Sequence, residues 1–484
     1  MSLSRRSLLS AIPFAAAPAL AQPRASRPPN IIVILADDQG YGDLGCQGSP
    51  HIRTPHIDRM AREGARLTSF YAQPLCGPSR AALLTGCYPV RNSLMFNHIP
   101  RARTGIHPNE VTLAELLKQR GYATAMLGKW HLGDAPPFRP HRHGFDSWFG
   151  LPYSNDMWPF HPKIKPTPNE NPRLTAARAR AEMTGYDGRG QVYPTDWFPD
   201  LPLMHNDEIV ALNPDQSRLT GQYTERALGF IRDNRAQPFF LYLAHNMPHA
   251  PLFPGAAFEG RSARGRYGDC IEEIDDSTGR ILDNLRQLNL DRDTFVVYTS
   301  DNGPWAPYGI DAGSAGPLRG AKGSVWEGGI RVPAVFWSPG RIPAGHVTSE
   351  MAATIDILPT AASLSGAELP SHTIDGRDML PLLTQPNARS PHEHFYYYET
   401  ILQYNAATGR PANHQRLAAI RNRQWKLNMP AEGQPQLYDL LGDVSETTDR
   451  AAQQPALFEQ LKSQAVRFDA DLRRNIRPLG TLPA

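Results

Sequence analysis

Four short apolar runs along the chain each end in polar or ionisable residues. Runs of this length, separated by helical patterns, are typical of buried strands in a parallel sheet. Ligands of open α/β sheets bind beyond the carboxyl ends of the strands, so we expect these polar residues to meet in one cleft. The runs are Ile31 to Ala36 before Asp37 and Asp38, Ala123 to Leu127 before Lys129 and His131, Phe239 to Leu243 before His245 and His249, and Phe295 to Thr299 before Asp301 and Asn302.

The regions between and after these runs favour helices and a second domain. Helix patterns cover Thr112 to Arg120, Gln222 to Asn234 and Asp269 to Leu288. The segment from Asp156 to about Asp215 is rich in Pro, Asn, Trp and Arg and lacks a clear period, so we expect an irregular region that shapes substrate access. From about Ser390 the pattern predicts short strands and a terminal helix. These are His394 to Glu399, Gln424 to Asn428, Gln436 to Leu440 and the helix Pro455 to Arg474.

Composition narrows the classes of partner. The 484 residues are too many for one average domain, which favours one large domain with a smaller companion. Lys+Arg 50 nearly balances Asp+Glu 47, and no basic run indicates nucleic acid or an anionic membrane surface. The four cysteines, Cys46, Cys76, Cys87 and Cys270, are too few for a disulfide scaffold.

The N-terminal residues 1–21 are typical of an export signal. Arg5 and Arg6 precede an apolar run, and Ala19 to Ala21 form a small-residue cleavage site. The run is interrupted by Pro13 and Pro18 and is too short for a membrane span. The paired arginines resemble a twin-arginine signal, and an ordinary secretory signal is the alternative. Either one predicts a bacterial periplasmic or secreted protein.

The stretch Leu75 to Gly86 begins a helix at Cys76. Pro78 suits the first helical turn and Gly86 suits the C-terminal stop, so Cys76 lies near a helix N-terminus, where anions are favoured. Arg80 adds a cation. An isolated cysteine is most often a small buried hydrophobe. Here, however, Cys-x-Pro-Ser-Arg is followed by Ala-Ala-Leu-Leu-Thr-Gly, and Gly121 to His131 has the form G-Y-x-T-x-x-x-G-K-x-H.

These two strings, in this order, resemble the two signatures of the sulfatase family. In that family a separate formylglycine-generating enzyme oxidises the cysteine of the first signature, here Cys76, to formylglycine (3-oxoalanine). If Cys76 is so modified, the other three cysteines allow at most one disulfide. The resemblance is to arylsulfatase A-like members of the alkaline phosphatase superfamily.

This resemblance implies an α/β fold with two domains. We expect a large mixed, mainly parallel sheet sandwiched by helices in residues 22–389. A smaller C-terminal α+β domain, with an antiparallel sheet and a helix, is expected in residues 390–484.

A metal site is the first expected feature of the cleft. Asp37 and Asp38 alone are most simply a turn or a helix cap. Together with Asp301 and Asn302 they form a set of hard oxygen ligands, which suits Ca²⁺ or Mg²⁺ rather than zinc. The resemblance implies a divalent cation, usually calcium, on these four residues, with an oxygen of modified Cys76 as a further ligand.

Two histidines four residues apart raise the alternative of a zinc protease. Pro248 argues against a helix at His245 and His249, and Asn246 stands where that motif needs glutamate. The sulfatase resemblance instead implies that His249 faces the sulfate and that His245 is structural.

Two further loops carry expected substrate contacts. Leu318 to Pro333 has the composition of a Gly-rich loop and resembles the family stretch L-R-G-x-K-x-x-x-x-E-G-G-x-R-V-P, which implies that Lys322 binds sulfate and protonates the leaving group. Pro152 to Asp156 resembles the loop that supplies a serine, here Ser154, to the sulfate; a plain turn is the alternative.

The resemblance also implies a mechanism. One hydroxyl of the hydrated aldehyde at position 76 attacks sulfur, the alcohol leaves, and the second hydroxyl expels sulfate. The implied roles are activation by Asp301, assistance of the elimination by His131, protonation of the leaving oxygen by His249 and Lys322, and charge stabilisation by Arg80, Lys129 and the metal.

The sequence therefore predicts a sulfuric ester hydrolase of the arylsulfatase type, acting on a small sulfate ester or a sulfated glycan. One alternative is a phosphate or phosphonate ester hydrolase on the same fold. Another is a non-catalytic binder of sulfated glycans, expected if Cys76 stays a thiol. Aryl, sugar, choline and alkyl sulfates all remain open as substrates.

Overall fold

The computed structural model describes residues 27–163 and 198–483, with gaps at 402–403, 406–409 and 412–413, and isolated positions between 172 and 179. The expected export signal, residues 1–21, lies outside the described residues. The strands are β1 Asn30–Ala36, β2 Ala65–Leu67, β3 Phe70–Tyr71, β4 Thr104–Gly105, β5 Ala123–Gly128, β6 Ser147–Gly150, β7 Pro202–His205, β8 Glu208–Leu212, β9 Phe239–Ala244, β10 Thr294–Ser300, β11 Ala334–Trp337, β12 His346–Thr348, β13 Ala352–Ala353, β14 Phe395–Ile401, β15 Tyr404–Asn405, β16 Arg410–Pro411, β17 His414–Arg421, β18 Trp425–Asn428, β19 Gln436–Asp439 and β20 Gly480–Thr481. The helices are α1 Pro55–Glu63, α2 Cys76–Thr85, α3 Leu113–Lys118, α4 Leu219–Asp233, α5 Gly265–Gln287, α6 Glu327–Ile330, α7 Ile357–Ser365, α8 Leu380–Thr384 and α9 Pro455–Arg474.

A ten-stranded sheet forms the centre of the molecule, in the order β12-β2-β11-β10-β1-β9-β5-β6-β7-β8. The five neighbours from β10 to β6 pair in parallel, as do β2 and β12, whereas β11, β7 and β8 pair antiparallel to their neighbours. The expected mixed, mainly parallel sheet is thus confirmed. Its four central apolar runs are adjacent strands.

The apolar sequence of β1 follows from burial on both faces. Ile31, Val33 and Leu35 contact one core cluster and Ile32 and Ile34 the other. Helices α2, α3, α7 and α8 pack on the first face, and α1, α4 and α5 pack on the second. A strand covered on both sides gains from apolar residues at every position, so it reads as a continuous run rather than as an alternating one.

The expected helices form with small shifts at their ends. The pattern from Asp269 to Leu288 corresponds to α5, which begins four residues earlier at Gly265, and Gln222 to Asn234 corresponds to α4. Cys76, expected just before a helix, is the first residue of α2. Gly86 ends that helix in the left-handed conformation, with φ of 67°, which glycine adopts without strain.

One part of the segment expected to be irregular is regular. Strands β7 and β8 form an antiparallel hairpin, and β7 extends the central sheet beside β6. Leu203 and Met204 are buried, but Ile209 and Val210 on β8 are exposed. The outer strand therefore lacks the alternation that marks a half-buried strand, and this is why the periodicity missed the hairpin.

The C-terminal part of the chain forms a second, four-stranded antiparallel sheet in the order β14-β17-β18-β19, with α9 packed against it. This confirms the expected antiparallel sheet and terminal helix. The division at residue 390 stays a prediction. Among the described residues, all four cysteines are free thiols. In that same part of the chain, no helix has the length and apolar character needed to cross a membrane.

Buried charges link the second sheet to the loop that carries Lys322. Lys426 on β18 lies 3.1 Å from the Glu327 carboxylate and 3.0 Å from that of Glu446, and all three side chains are fully buried. Glu446 also accepts the backbone N–H of Glu327, at 2.7 Å. The start of α6 is therefore fixed by residues of the C-terminal sheet.

Replacing Lys426 by methionine is expected to destabilise the protein by about 3 kcal/mol, because it removes the cation that two buried carboxylates share. Chemical denaturation would measure the free energy of unfolding. Lys462→Met, at an exposed position on α9, serves as the matched control and should change it by less than about 0.5 kcal/mol. Equal values for the two variants would contradict a structural role for the network.

Candidate active site

The loops after β1, β5, β9 and β10 meet at the carboxyl edge of the central sheet, as their positions in the sequence predict. Backbone hydrogen bonds hold them together: Asp301 N–H donates to Ala36 C=O at 3.2 Å, and Lys129 N–H donates to Ala244 C=O at 2.9 Å. Helix α2 points its first turn into the same space. These elements bring the sequence-predicted residues into one site.

Cys76 lies at the base of this site. Its side chain is fully buried, and its Sγ is 3.5 Å from Asp37 Oδ1 and 3.6 Å from Asp38 Oδ1. Burial, aided by the charge of Asp301, raises the pKa of the Cys76 thiol well above its usual value. The residue as encoded is therefore held as a neutral thiol, which is a poor nucleophile.

A group of oxygen donors surrounds the thiol. The ligand atoms of Asp37, Asp38, Cys76 and His249 all lie within 4.8 Å of one another. Asn302 Nδ2 donates to Asp38 Oδ1 at 2.7 Å, which leaves the buried Asn302 Oδ1 without a hydrogen-bond partner among the described residues. An orphaned buried amide oxygen beside several carboxylates fits a hard divalent cation, which prefers oxygen ligands.

Three cations balance three buried carboxylates. Arg80 Nη2 lies 2.8 Å from Asp301 Oδ2, and Lys129 Nζ lies 2.6 Å from Asp37 Oδ2. Lys322 Nζ lies 2.7 Å from Asp38 Oδ1. Because these formal charges cancel, a bound divalent cation would leave the site with two positive charges for an anionic substrate.

The cations also set the protonation states. Burial opposes the charged form of Lys322, but the nearby Asp38 more than compensates and raises the pKa of Lys322 well above its usual value. Burial, and then the charge of Asp37, raise the pKa of Asp301. The geometry thus provides a protonated amine and a carboxylate of increased basicity in one site.

Ser154, His131 and His249 complete the predicted set. Ser154 Oγ is 3.4 Å from both Lys129 Nζ and His249 Nε2. Both ring nitrogens of His131 are buried without a hydrogen-bond partner among the described residues. Burial, and then the charges of Lys129 and Arg80, lower the pKa of His131 well below its usual value, so its ring is neutral.

A cavity of about 380 Å³ opens above this group. His131, Ser154, His249 and Lys322 line its polar end. The remaining wall is largely apolar and includes Ile99, Met157, Phe198 and Trp305.

The sequence analysis missed two residues of this cavity. Asn97 accepts the backbone N–H of Gly77 at 2.8 Å and so supports the first turn of α2. The Trp305 ring lies 4.5 Å from Lys322 Nζ and 5.5 Å from the His249 ring. Trp305 follows Asp301 by four residues, and an aromatic residue so soon after a polar strand end was the available signal. Asn97 has no such signal, because it reaches the site only through tertiary packing.

His245 stands apart from the catalytic group. It is fully buried, and its ring centre is 6.5 Å from that of Tyr223. No described residue accepts from or donates to its ring nitrogens. Its position is compatible with the structural role expected from the sequence.

Comparisons with known proteins identify the family. Residues 29–367 match the family model described as Sulfatase, and residues 321–470 match the model described as N-sulphoglucosamine sulphohydrolase, C-terminal. The chain belongs to the sulfatase family. The first of these matches spans well over half of the chain, including every predicted site residue.

Named relatives agree with this assignment. The chain is 42% identical over 439 residues to steryl-sulfatase of Mus musculus, covering 81% of this chain and 70% of that protein. It is 37% identical over 475 residues to arylsulfatase A of Bos taurus, covering 92% and 89%. The crystal structure of Ps i-CgsB in complex with k-i-k-neocarrahexaose superposes with a TM-score of 0.74 at 30% identity, covering 91% of this chain and 93% of that one. This sulfatase is accordingly a sulfuric ester hydrolase.

The buried His245 predicts a specific pH dependence of stability. Burial lowers the pKa of His245 to about 3, whereas the unfolded residue titrates near its model value of 6.5. Stability is lost as the pH falls below 6.5, because the unfolded state then binds a proton that the folded state excludes. Between pH 6.5 and 4.5 this costs about 3 kcal/mol.

Replacing His245 by phenylalanine should remove this contribution. The free energy of unfolding, measured by chemical denaturation at pH 6.5 and pH 4.5, should fall by about 3 kcal/mol less in the variant than in the wild type. His51→Phe, at an exposed position, should keep the wild-type difference. Identical pH slopes for wild type and His245→Phe would disprove the assignment.

Proposed function

We propose that this sulfatase hydrolyses sulfate monoesters with a formylglycine formed from Cys76. The observation that carries the proposal is the position of the Cys76 thiol, buried at the base of the site and held neutral among carboxylates. A neutral thiol supplies no strong nucleophile, whereas a hydrated formylglycine supplies one hydroxyl for attack on sulfur and a second for release of sulfate. The first turn of α2 and Asn97 would hold residue 76 in place.

We further propose Asp37, Asp38, Asp301 and Asn302 as the ligands of one divalent cation, with residue 76 beside them. Calcium is the expected ion and magnesium the alternative. The support is the donor chemistry: three carboxylates and an amide oxygen that has no other partner among the described residues. The cation would supply a Lewis acid that stabilises negative charge on the sulfate oxygens.

The cationic side chains are proposed to bind and orient the sulfate group. Lys129 and Lys322 place their ammonium groups on the two sides of Asp37 and Asp38. Arg80 spans Asp301 and the backbone carbonyl of Lys129, at 2.8 and 2.7 Å, so its guanidinium is fixed before substrate binds. Fixed charges in a water-poor site stabilise a transition state without reorganisation.

Proton transfers are assigned to groups in the matching state. Lys322 is protonated and, together with His249, would donate to the leaving alcohol oxygen. Asp301, with its raised pKa, would accept the proton of the attacking hydroxyl. The neutral ring of His131 would accept a proton during release of sulfate.

We also propose export to a bacterial periplasm or exterior, by the twin-arginine route, on the basis of residues 1–21. That route carries folded proteins, so a formylglycine-generating enzyme would act on Cys76 before export. Residues 22–389 would form the catalytic domain and residues 390–484 the C-terminal domain.

Mass spectrometry tests the modification directly. In protein from its natural host, the tryptic peptide Leu67 to Arg80 should carry an aldehyde at Cys76. Cys76→Ala should fold normally and lose roughly 10⁴-fold or more in turnover of 4-nitrophenyl sulfate, since the nucleophile is gone. Cys87→Ser, a second buried cysteine at the other end of α2, is the control and should retain activity. An unmodified thiol in active protein would refute the proposed chemistry, and one in inactive protein that binds sulfated glycans would favour the non-catalytic alternative.

Chelation tests the cation. The thermal midpoint should fall in EDTA and recover with Ca²⁺, because an ion at 100 times its dissociation constant stabilises the fold by about 2.7 kcal/mol. Asn302→Ala should shrink this Ca²⁺-dependent shift without changing the charge of the site. Glu225→Gln, at an exposed position on α4, should leave the shift intact. A midpoint that ignores both EDTA and Ca²⁺ would argue against a resident divalent ion.

A further inference from the structure

We propose that a second cavity beside the active site binds an uncharged saccharide unit adjoining the sulfated one, which makes sulfated oligosaccharides the substrates. This inference rests on the proposed function, since it concerns the alcohol part of the same sulfate ester. The cavity has a volume of about 700 Å³, within the usual range of small-molecule sites.

The second cavity and the active site share the same two loops. In the first loop, Ser154 faces the catalytic group, whereas Trp158 and Phe160 line the second cavity. In the second loop, His249 faces the catalytic group and Phe253 lines the second cavity. A ligand that follows either loop outward from the sulfate therefore reaches the second cavity.

A hydrogen-bonded pair forms the wall between the two spaces. Asn155, next to Ser154, donates from Nδ2 to Gln216 Oε1 at 3.0 Å, and Gln216 Nε2 donates to the Asn155 carbonyl at 3.1 Å. Gln216 itself lines the second cavity. The two spaces are thus separated by a single layer of side chains.

One buried donor in the second cavity lacks an acceptor. Trp158 is 5% exposed, and its indole Nε1–H has no hydrogen-bond partner among the described residues. Leaving a buried donor unpaired costs about 1–3 kcal/mol, so such a group calls for a ligand or water oxygen. A sugar hydroxyl is an acceptor of the right kind.

The remaining walls favour a saccharide. Phe160 and Phe253 pack edge-on against Trp158, with ring centres 5.0 and 5.9 Å away, and supply apolar surface for the C–H face of a sugar ring. Opposite them, Asn213 and Ser217 provide amide and hydroxyl groups that match sugar hydroxyls as donors and acceptors. The mixture of aromatic and neutral polar surface fits a sugar better than it fits a purely apolar group.

The charges of the walls favour an uncharged unit. Arg266 Nε lies 3.1 Å from Glu259 Oε1, so the cationic side chain of this cavity already faces a carboxylate. Asp215 adds a second carboxylate. An additional sulfate or carboxylate on the ligand would meet this negative charge, and we therefore assign the cavity to a neutral sugar.

Binding to a protein that cannot turn over separates this inference from catalysis. Calorimetry on the Cys76→Ala protein would compare sulfated monosaccharides with disaccharides that carry a neutral second sugar, using carrageenan-derived and synthetic pairs with different sulfate positions. For at least one pair, the disaccharide should bind about tenfold more tightly. Trp158→Phe, which keeps the ring and removes the donor, should abolish most of this gain while leaving binding of the monosaccharide and of inorganic sulfate unchanged.

Ser217→Ala provides a second, milder variant with the same expected direction, and Trp425→Phe, on β18 of the C-terminal sheet, is the matched control that should keep the full gain. Equal affinity for all monosaccharide and disaccharide pairs would overturn the inference and leave the sulfate site standing. So would a gain that survives in both cavity variants, or one that appears only with an aryl group such as 4-nitrophenyl sulfate. Failure to bind inorganic sulfate or any sulfated sugar would instead count against the proposed function itself.

Discussion

Compensation of buried charge is the constraint on which the active site depends. Asp37, Asp38 and Asp301 are excluded from water at the end of adjacent strands, and each carboxylate would be unfavourable there alone. Arg80, Lys129 and Lys322 contact them at 2.8 Å or less. Because the charges cancel, the site tolerates three carboxylates close enough to share one cation, and the cations that balance them are also placed to hold an anionic ester.

A second set of buried charges holds one of these cations in place. Lys322 lies on a loop that has little regular structure of its own, and α6 at the end of that loop is fixed by Lys426 and Glu446 of the C-terminal sheet. At the other side, the backbone N–H of Gly323 donates to the Pro74 carbonyl at 2.8 Å, close to Cys76. The C-terminal sheet thus supports the active site without lining it. Precise placement of a charged group requires such support, since a flexible lysine would lose much of its effect.

The chemistry of the site is not contained in the encoded side chain at its centre. The fold buries Cys76 and keeps its thiol protonated, so the surrounding groups are arranged for a different species at that position. Around it the loops after β5 and β9 serve two purposes: their first residues face the sulfate and their later residues form the second cavity. Catalysis and recognition of the alcohol are therefore coupled through short loops on a rigid sheet, a common division of labour in enzymes.

The sequence by itself determined the strands, the polar residues at their ends and the family. A strand buried on both faces must be apolar throughout, and parallel strands end at the same edge, so Asp37, Lys129, His249 and Asp301 had to meet. Tertiary structure alone decided the pairing of each cation with its carboxylate, the support of α2 by Asn97, the packing of Trp305 and the hairpin of β7 and β8. These depend on contacts between residues far apart in the chain, or on an exposed edge strand, for which local periodicity carries no signal.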